Sequence, residues 1–256
     1  MTESFNESIQ RAAILLKSAR HAVALTGAGI STPSGIPDFR SPGTGEWAKL
    51  DPLDVVSLTT FHRDPARFYA WLRPLIVKMA VAKPNPAHNA LAELERMGNL
   101  QAVLTQNIDE LHQEAGSKNV IELHGSLETL SCPTCKRTIS GDACYQNFIN
   151  ENVMPRCTVC GSILKPDIVF YQENLPEKAW FTAVHYAEQA DVFLVVGTSL
   201  EVMPVSSLPI YALENRAKII ILNFSSTYFD NQATISIKDN IAFVLPEIVH
   251  VILKES

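Results

Sequence analysis

The sequence predicts an α/β fold: a parallel sheet covered by helices, with a smaller inserted module. Three observations carry this expectation. Short apolar runs alternate with amphipathic helical segments over most of the 256 residues, the order that yields a parallel sheet covered on both faces. Runs such as Ile219-Ile220-Ile221-Leu222 are apolar at consecutive positions, as a strand buried on both faces must be. The stretch 126–166 breaks the alternation and holds all five cysteines.

Taken in order, Phe5, Ile9, Ala12, Ala13 and Leu16 mark one face of a helix over 5–20. His21 to Thr26 reads as a short buried strand and runs into a glycine-rich turn; five of the eleven glycines lie between Gly27 and Gly45. Residues 41–63, with Pro42, Gly43, Gly45 and Pro52, read as irregular. Asp64-Pro65 is a cap and first-turn signal for a helix through Met79, and Asn85-Pro86 starts another that stops at Gly98. A strand over 101–105, a short helix over 108–115 ending at Gly116, and a strand over 119–123 follow. The inserted module shows no long helical period. Beyond it come a helix at 177–189, a strand at 191–196, a helix near 205–215, a strand at 217–223 and a terminal helix near 240–253.

Composition excludes several classes of function. Apolar residues make up 46% of the chain, enough to offset chain entropy, so disorder is excluded. The formal net charge is −6 with basic residues dispersed, which argues against binding a nucleic-acid backbone. No run approaches the length of a membrane span, and the start Met1-Thr2-Glu3-Ser4 lacks the features of a secretory signal. A cytoplasmic enzyme is expected, monomeric by default.

Several strand ends carry chemistry. Thr26-Gly27-Ala28-Gly29-Ile30-Ser31 follows a strand, where a dinucleotide pyrophosphate rests on close backbone and on the N-terminus of a following helix. A tight turn with no ligand explains it equally well, and Thr32 stands where the dehydrogenase fingerprint needs its third glycine. In Gly35-Ile36-Pro37-Asp38-Phe39-Arg40, Arg40 suits phosphate, Asp38 a ribose or amide, and Phe39 could shield a reactive centre from water. Gln106-Asn107-Ile108-Asp109 sits at a carboxyl strand end. Helix capping would explain Asn107 but not the whole trio. His124-Gly125 ends the next strand, and His124 suits a general base near neutral pH. The other six histidines read as structural, with His112 a surface neighbour of Asp109. Gly197-Thr198-Ser199 and Asn223-Phe224-Ser225-Ser226 complete five such ends, matching an extended ligand across the sheet edge.

The most specific signal from residues alone is Cys132-Pro-Thr-Cys135, 21 residues, then Cys157-Thr-Val-Cys160. Two such pairs form a tetrahedral, four-cysteine zinc ribbon whose closed shell leaves no place for water, so the metal is structural. A redox pair or an iron–sulfur cluster is the alternative. Cys144 is left as an idle thiol.

Together, Gly27-Ala-Gly-Ile-Ser31, Gly35-Ile-Pro-Asp-Phe-Arg40, Thr105-Gln-Asn-Ile-Asp109, His124-Gly125, the two CxxC pairs, Gly197-Thr-Ser199 and Asn223 resemble the sirtuins, the NAD-dependent protein lysine deacylases, in order and over essentially the whole chain. The resemblance implies a Rossmann-type NAD-binding domain from 1–40, 91–125 and 167–256. It implies a small domain from a helical insert (41–90) and the zinc ribbon (126–166), with NAD and an acylated lysine entering a cleft between the two. Gly27, Ala28, Gly29, Ser31, Asp38, Phe39 and Arg40 would line the cofactor loop, and Gln106, Asn107 and Asp109 would serve the nicotinamide and its ribose. Gly197, Thr198, Ser199, Asn223 and Ser225 would hold the adenosine half, with Asn240 and Ile241 near the adenine. Val169, Phe170, Glu201 and Val202 would pair with the peptide as an added strand. The implied reaction passes the acyl group to ADP-ribose, with nicotinamide leaving and His124, Asn107 and Asp109 as catalytic residues. Gln172 stands where the family usually has Gly. Leu72 and Leu75 fall where desuccinylating members carry Tyr and Arg, an apolar wall suited to neutral acyl groups. Protein mono-ADP-ribosylation on the same fold, and an NAD-binding module without turnover, are the alternatives.

Overall fold

Apolar residues at helical spacing make α1 (Phe5–Ser18), which buries Ile9, Ala12, Ala13 and Leu16. This is a computed structural model, and it describes residues 5–38, 45 and 50–254. Phe39, Arg40, Pro42 and Gly43 lie outside the described residues.

The chain divides into two compact units, the first built from residues 1–34, 83–123 and 177–256. Its six strands are β1 (Ala22–Thr26), β2 (Ala102–Thr105), β3 (Val120–Glu122), β7 (Val192–Val196), β8 (Lys218–Leu222) and β9 (Ile235–Ile237). They form one all-parallel sheet in the order β3-β2-β1-β7-β8-β9. Side chains alternate between the faces of a strand. Ala22, Ala24, Val192, Leu194, Val196, Ile220 and Leu222 face a core shared with α1, α4 (Pro86–Arg96) and α9 (Ile241–Lys254). The intervening Val23, Leu25, Phe193, Val195, Ile219 and Ile221 are buried as well. Their face carries α7 (Glu177–Gln189) and α8 (Leu208–Glu214), which pack on each other and on β3, β7 and β8. The strand order reverses between β1 and β7, the switch point at which open α/β sheets bind ligands outside their carboxyl ends.

The second unit comprises 35–82 and 124–176. It joins α2 (Leu58–Arg63) and α3 (Pro65–Met79) to an antiparallel sheet of β4 (Gly125–Ser131), β5 (Thr138–Ser140) and β6 (Lys165–Ile168) in the order β5-β4-β6, with α6 (Gly141–Glu151) beside it. Its core is aromatic. Phe68 and Phe170 rings lie 4.7 Å apart, and Tyr69 and Phe148 rings 5.1 Å apart. Asp64 caps α3 by accepting the Arg67 N–H, as its sequence position predicts.

Four expectations are corrected. The helix expected over 108–115 shrinks to α5 (Leu111–Glu114), because Glu110 takes a left-handed φ of 59° and breaks the turn. Residues 41–63 contain α2, capped by the Ser57 hydroxyl. The cysteine module contains α6, an eleven-residue helix of low amphipathic contrast whose apolar anchors, Tyr145 and Phe148, are few. No helix follows β1 directly; two 3-10 turns, at 28–30 and 32–34, take its place. The short strand β9 was not expected; with three residues it carries little periodic signal.

Candidate active site and metal centre

In the first unit, the loops after β1 and β7 meet at the switch point. The Gly29 N–H donates to the Gly197 carbonyl at 2.8 Å, and Gly27 N–H donates to the Val196 carbonyl. A Cβ on Gly29 would stand 2.8 Å from the Gly197 oxygen, and one on Gly197, at φ 62°, would collide with Ile30 N. The glycines are therefore demanded first by the approach of one loop to the other, which leaves a narrow floor of bare backbone. Thr198 ties this floor to β2: the Gln106 side-chain amide donates to its hydroxyl at 2.9 Å.

Beneath it lies a buried polar network. The Ser31 hydroxyl donates to the Asp109 carboxylate at 2.6 Å. Asn107 Nδ2 donates to Ser31 Oγ at 3.1 Å and to the Gly27 carbonyl at 3.2 Å. Asn107 therefore does not cap α5; that helix starts four residues later, and Asp109 accepts the Leu111 N–H there instead. Burial pushes the Asp109 carboxyl above its ordinary range, against the opposing bonds from Ser31 and Leu111.

Two histidines that the sequence leaves as structural sit inside this network. His88 is wholly buried and His112 nearly so, with rings 4.9 Å apart; His112 is no surface neighbour of Asp109. His88 Nδ1 accepts the Asn85 N–H, so Nε2 carries the proton toward Ser31 Oγ, 3.4 Å away. Thr26 donates its hydroxyl proton to Thr105 at 2.9 Å, so it accepts from His112 Nε2 at 2.9 Å. The remaining His112 Nδ1 has no hydrogen-bond partner among the described residues. Burial lowers His88 to about 4; burial and then the neighbouring His88 lower His112 to about 3. Both rings are neutral at physiological pH. Thr26, Asn85, His88, Thr105 and His112 are what sequence reasoning missed here. The one available signal was Asn85-Pro-Ala-His88, a capping box that buries its histidine against the loop.

Elsewhere in this unit, Asn223 is buried, with Nδ2 donating to the Ser225 carbonyl at 2.9 Å. Asn240 uses its side-chain oxygen to accept the Ala242 N–H at the start of α9, and Ile241 is buried. Ala28, Ser199 and Val202 are half-buried, and Glu201 is exposed.

In the second unit, His124 immediately precedes β4, and its carbonyl accepts the Val169 N–H at 2.8 Å. Gly125 has φ 74°, and a Cβ there would run into the Asp167 carbonyl oxygen. Only glycine lets the chain turn here between His124 and the sheet. Phe170 is core, and its N–H is bonded to the Glu173 carboxylate at 2.7 Å. Asp38 is half-buried at the edge of the described segment.

The four cysteines converge. All four Sγ atoms lie within 4.8 Å of one another, and zinc with bonds of about 2.3 Å needs sulfurs about 3.8 Å apart. Both turns have one geometry. Lys136 N–H returns to the Cys132 carbonyl and Gly161 N–H to the Cys157 carbonyl, with φ of 62° and 74°. Cys132 and Cys157 are buried, and Cys135 and Cys160 exposed. An all-thiolate, closed donor set at this spacing fits one structural zinc. Cys144 lies apart on α6, partly buried.

Comparison with known proteins agrees with this geometry. The Sir2 family profile matches residues 27–204. The chain is 45% identical over 244 residues to NAD-dependent protein deacylase 2 of Archaeoglobus fulgidus, covering 95% of each protein. It is 43% identical over 255 residues to an NAD-dependent protein deacetylase of Thermodesulfovibrio yellowstonii, covering 100% of this chain and 99% of that one. A structure solved in a study of the mechanism and regulation of Sir2 enzymes superposes with a TM-score of 0.92 at 42% identity, over 98% of this chain and 100% of that one. A Sir2 variant solved with a deacetylated p53 peptide and 3′-O-acetyl-ADP-ribose superposes at 0.88 with 39% identity, over 97% and 98%. Superposition, identity and family match of this extent have one explanation: the chain belongs to the Sir2 family.

Proposed function

We infer that this protein is an NAD-dependent protein lysine deacylase, which moves the acyl group of a modified lysine onto ADP-ribose and releases nicotinamide. The observation that carries the reading is the buried Ser31–Asn107–Asp109 cluster at the sheet's switch point, in a chain of the Sir2 family. NAD is consumed as a substrate and supplies the ADP-ribose acceptor. The chain's part is to hold it, exclude water and move a proton.

We assign Gly27, Ala28, Gly29, Ser31, Gln106, Gly197, Thr198 and Ser199 to the cofactor's phosphates and central part, and Asn223, Ser225, Asn240 and Ile241 to its adenosine end. Asp38, Phe39 and Arg40 belong to the same assignment. Asn107 and Asp109 orient the nicotinamide ribose. The Asp109 carboxylate faces positive charge developing on the sugar, and the dry surroundings strengthen that attraction. His124 is the general base that takes the proton of a ribose hydroxyl. Val169, Phe170, Glu201 and Val202 are assigned to the peptide. Zinc, held by Cys132, Cys135, Cys157 and Cys160, supplies folding energy and no chemistry. Reducing conditions that keep four thiolates available fit a cytoplasmic setting, and a monomer is the proposed working form. Among the described residues no helix is long and apolar enough to cross a membrane.

The acyl group is neutral. Tyr69 donates its hydroxyl to the Leu164 carbonyl at 2.7 Å, and Arg73 donates to the carbonyls of Phe148 and Ile149. Tyr69 and Arg73, which flank Leu72 on α3, are thus committed, and Leu72 and Leu75 are buried. Mass spectrometry of an acetyl-lysine peptide incubated with the protein and NAD tests the function. Free lysine together with O-acetyl-ADP-ribose, formed only with NAD, is the expected result. A peptide left acetylated while ADP-ribose appears on protein would replace this reading with ADP-ribosyl transfer.

A further inference from the structure

We propose that Gln172 is a positioning residue for the acyl-lysine peptide, tying the segment beside His124 to the start of α2. The proposal rests on the deacylase reading and on the assignment of residues 169–170 to the peptide. Gln172 holds φ at 75°, a left-handed conformation that favours glycine. A side chain kept there must return something. Its Oε1 accepts two bonds from one residue, the Thr59 N–H at 3.1 Å and the Thr59 hydroxyl at 2.8 Å. One position earlier, Tyr171 pairs in parallel with Ser57: its N–H donates to the Val56 carbonyl at 2.9 Å, and its carbonyl accepts the Leu58 N–H at 3.2 Å. Two positions before that, the Val169 N–H reaches the His124 carbonyl at 2.8 Å. Glu173 closes the turn, accepting the Phe170 N–H and pairing with Lys165 at 2.9 Å.

The segment is therefore pinned at 169, 171 and 172, from His124 at one end to α2 at the other. Gln172 and Thr59 lie toward the surface and their bonds are exposed, so their tie holds no core together. A glycine would keep the turn and lose the tie. What Gln172 adds is a fixed line for residues 169–171, and a peptide added as a strand gains from finding its partner already ordered.

Steady-state kinetics with an acetyl-lysine peptide and NAD, on Gln172→Gly, Gln172→Glu and Thr59→Val, test this. Gln172→Gly should fold, since its φ suits glycine. It should raise the peptide KM by about threefold or more, with kcat and the NAD KM within about twofold. Thr59→Val, which keeps only the N–H donor, should raise the peptide KM by less. Gln172→Glu accepts from the same two donors and should match the unaltered protein. An unmoved peptide KM in Gln172→Gly overturns the proposal, and so does a change confined to kcat. In parallel, a peptide carrying benzoylphenylalanine beside its acetyl-lysine is photo-crosslinked and mapped. Crosslinks within 168–172 with an unmoved KM sink the role of Gln172 alone. Crosslinks only elsewhere sink the peptide assignment beneath it.

Discussion

His124 stands between β3 and β4, directly before a position that only glycine can fill, so the turn of the backbone there answers a steric demand. Replacing the ring should therefore cost chemistry and spare the fold. His124→Ala is expected to lose about a hundredfold or more in turnover, the usual yield of a general base, with NAD binding retained; stopped assays alongside a binding titration check both halves. His88 and His112 behave oppositely, as buried neutral rings whose charge the fold rejects. A group whose folded pKa is depressed contributes stability above its unfolded value and loses it as pH falls through the folded value. For His88 the window runs from 6.5 down to about 4, a loss on the order of 3 kcal/mol at about 1.4 kcal/mol per unit. His112 adds to the loss further down. Asp109, raised by burial, works the other way and loses stability as pH rises through its folded value. Urea unfolding between pH 7 and 4 should show a shallower acid slope in His88→Gln than in the unaltered protein. Parallel slopes would mean that His88 is not buried neutral.

At the scale of elements, α3 and the β4 entry carry the clearest commitments. α3 was legible from Asp64-Pro65 alone, but the use of its face was not. Tyr69 and Arg73 are drawn to the carbonyls of Leu164, Phe148 and Ile149, which belong to segments some 75 to 95 residues away in sequence. A succinyl-lysine peptide should accordingly turn over at least about tenfold more slowly than its acetyl counterpart, because a buried unpaired carboxylate is costly. Equal rates would show that the acyl group does not meet this face. For β4, Gly125→Ala forces a Cβ into the Asp167 carbonyl and strains a positive φ. A loss of about 3 kcal/mol or more follows from strain and displaced pairing, read as a lower midpoint in chemical denaturation.

At the scale of the molecule, the two units draw stability from different sources. The first rests on a parallel sheet whose central strands β1, β2 and β7 are buried at every position. The second rests on an aromatic core and on four thiolates that repel or oxidise without a metal. Chelating zinc should release one equivalent per chain and expose the amides of 126–164 to hydrogen exchange, while β1, β7 and β8 stay protected. Protection unchanged across the cysteine module after metal removal would mean that zinc is not its fold-holding element.

Read alone, the sequence determined the alternating parallel-sheet architecture and the four-cysteine metal site, because periodicity, caps and CxxC spacing are local and each acts over a few residues. It stayed open or erred where the deciding partner is distant: capping could explain Asn107, which instead bonds Ser31 and Gly27, and His112, read as a surface residue, packs edge-on against His88. Asn107 and His112 share no spacing with those partners, and a lone histidine or asparagine looks the same whether solvated or buried. Only the tertiary structure decided that five polar residues, Thr26, Asn85, His88, Thr105 and His112, close around Ser31 and Asp109. The physical reason is burial. Once the helices cover the sheet, a polar group beneath the loop left unpaired is costly, and which partner it finds depends on where the whole chain has brought the others.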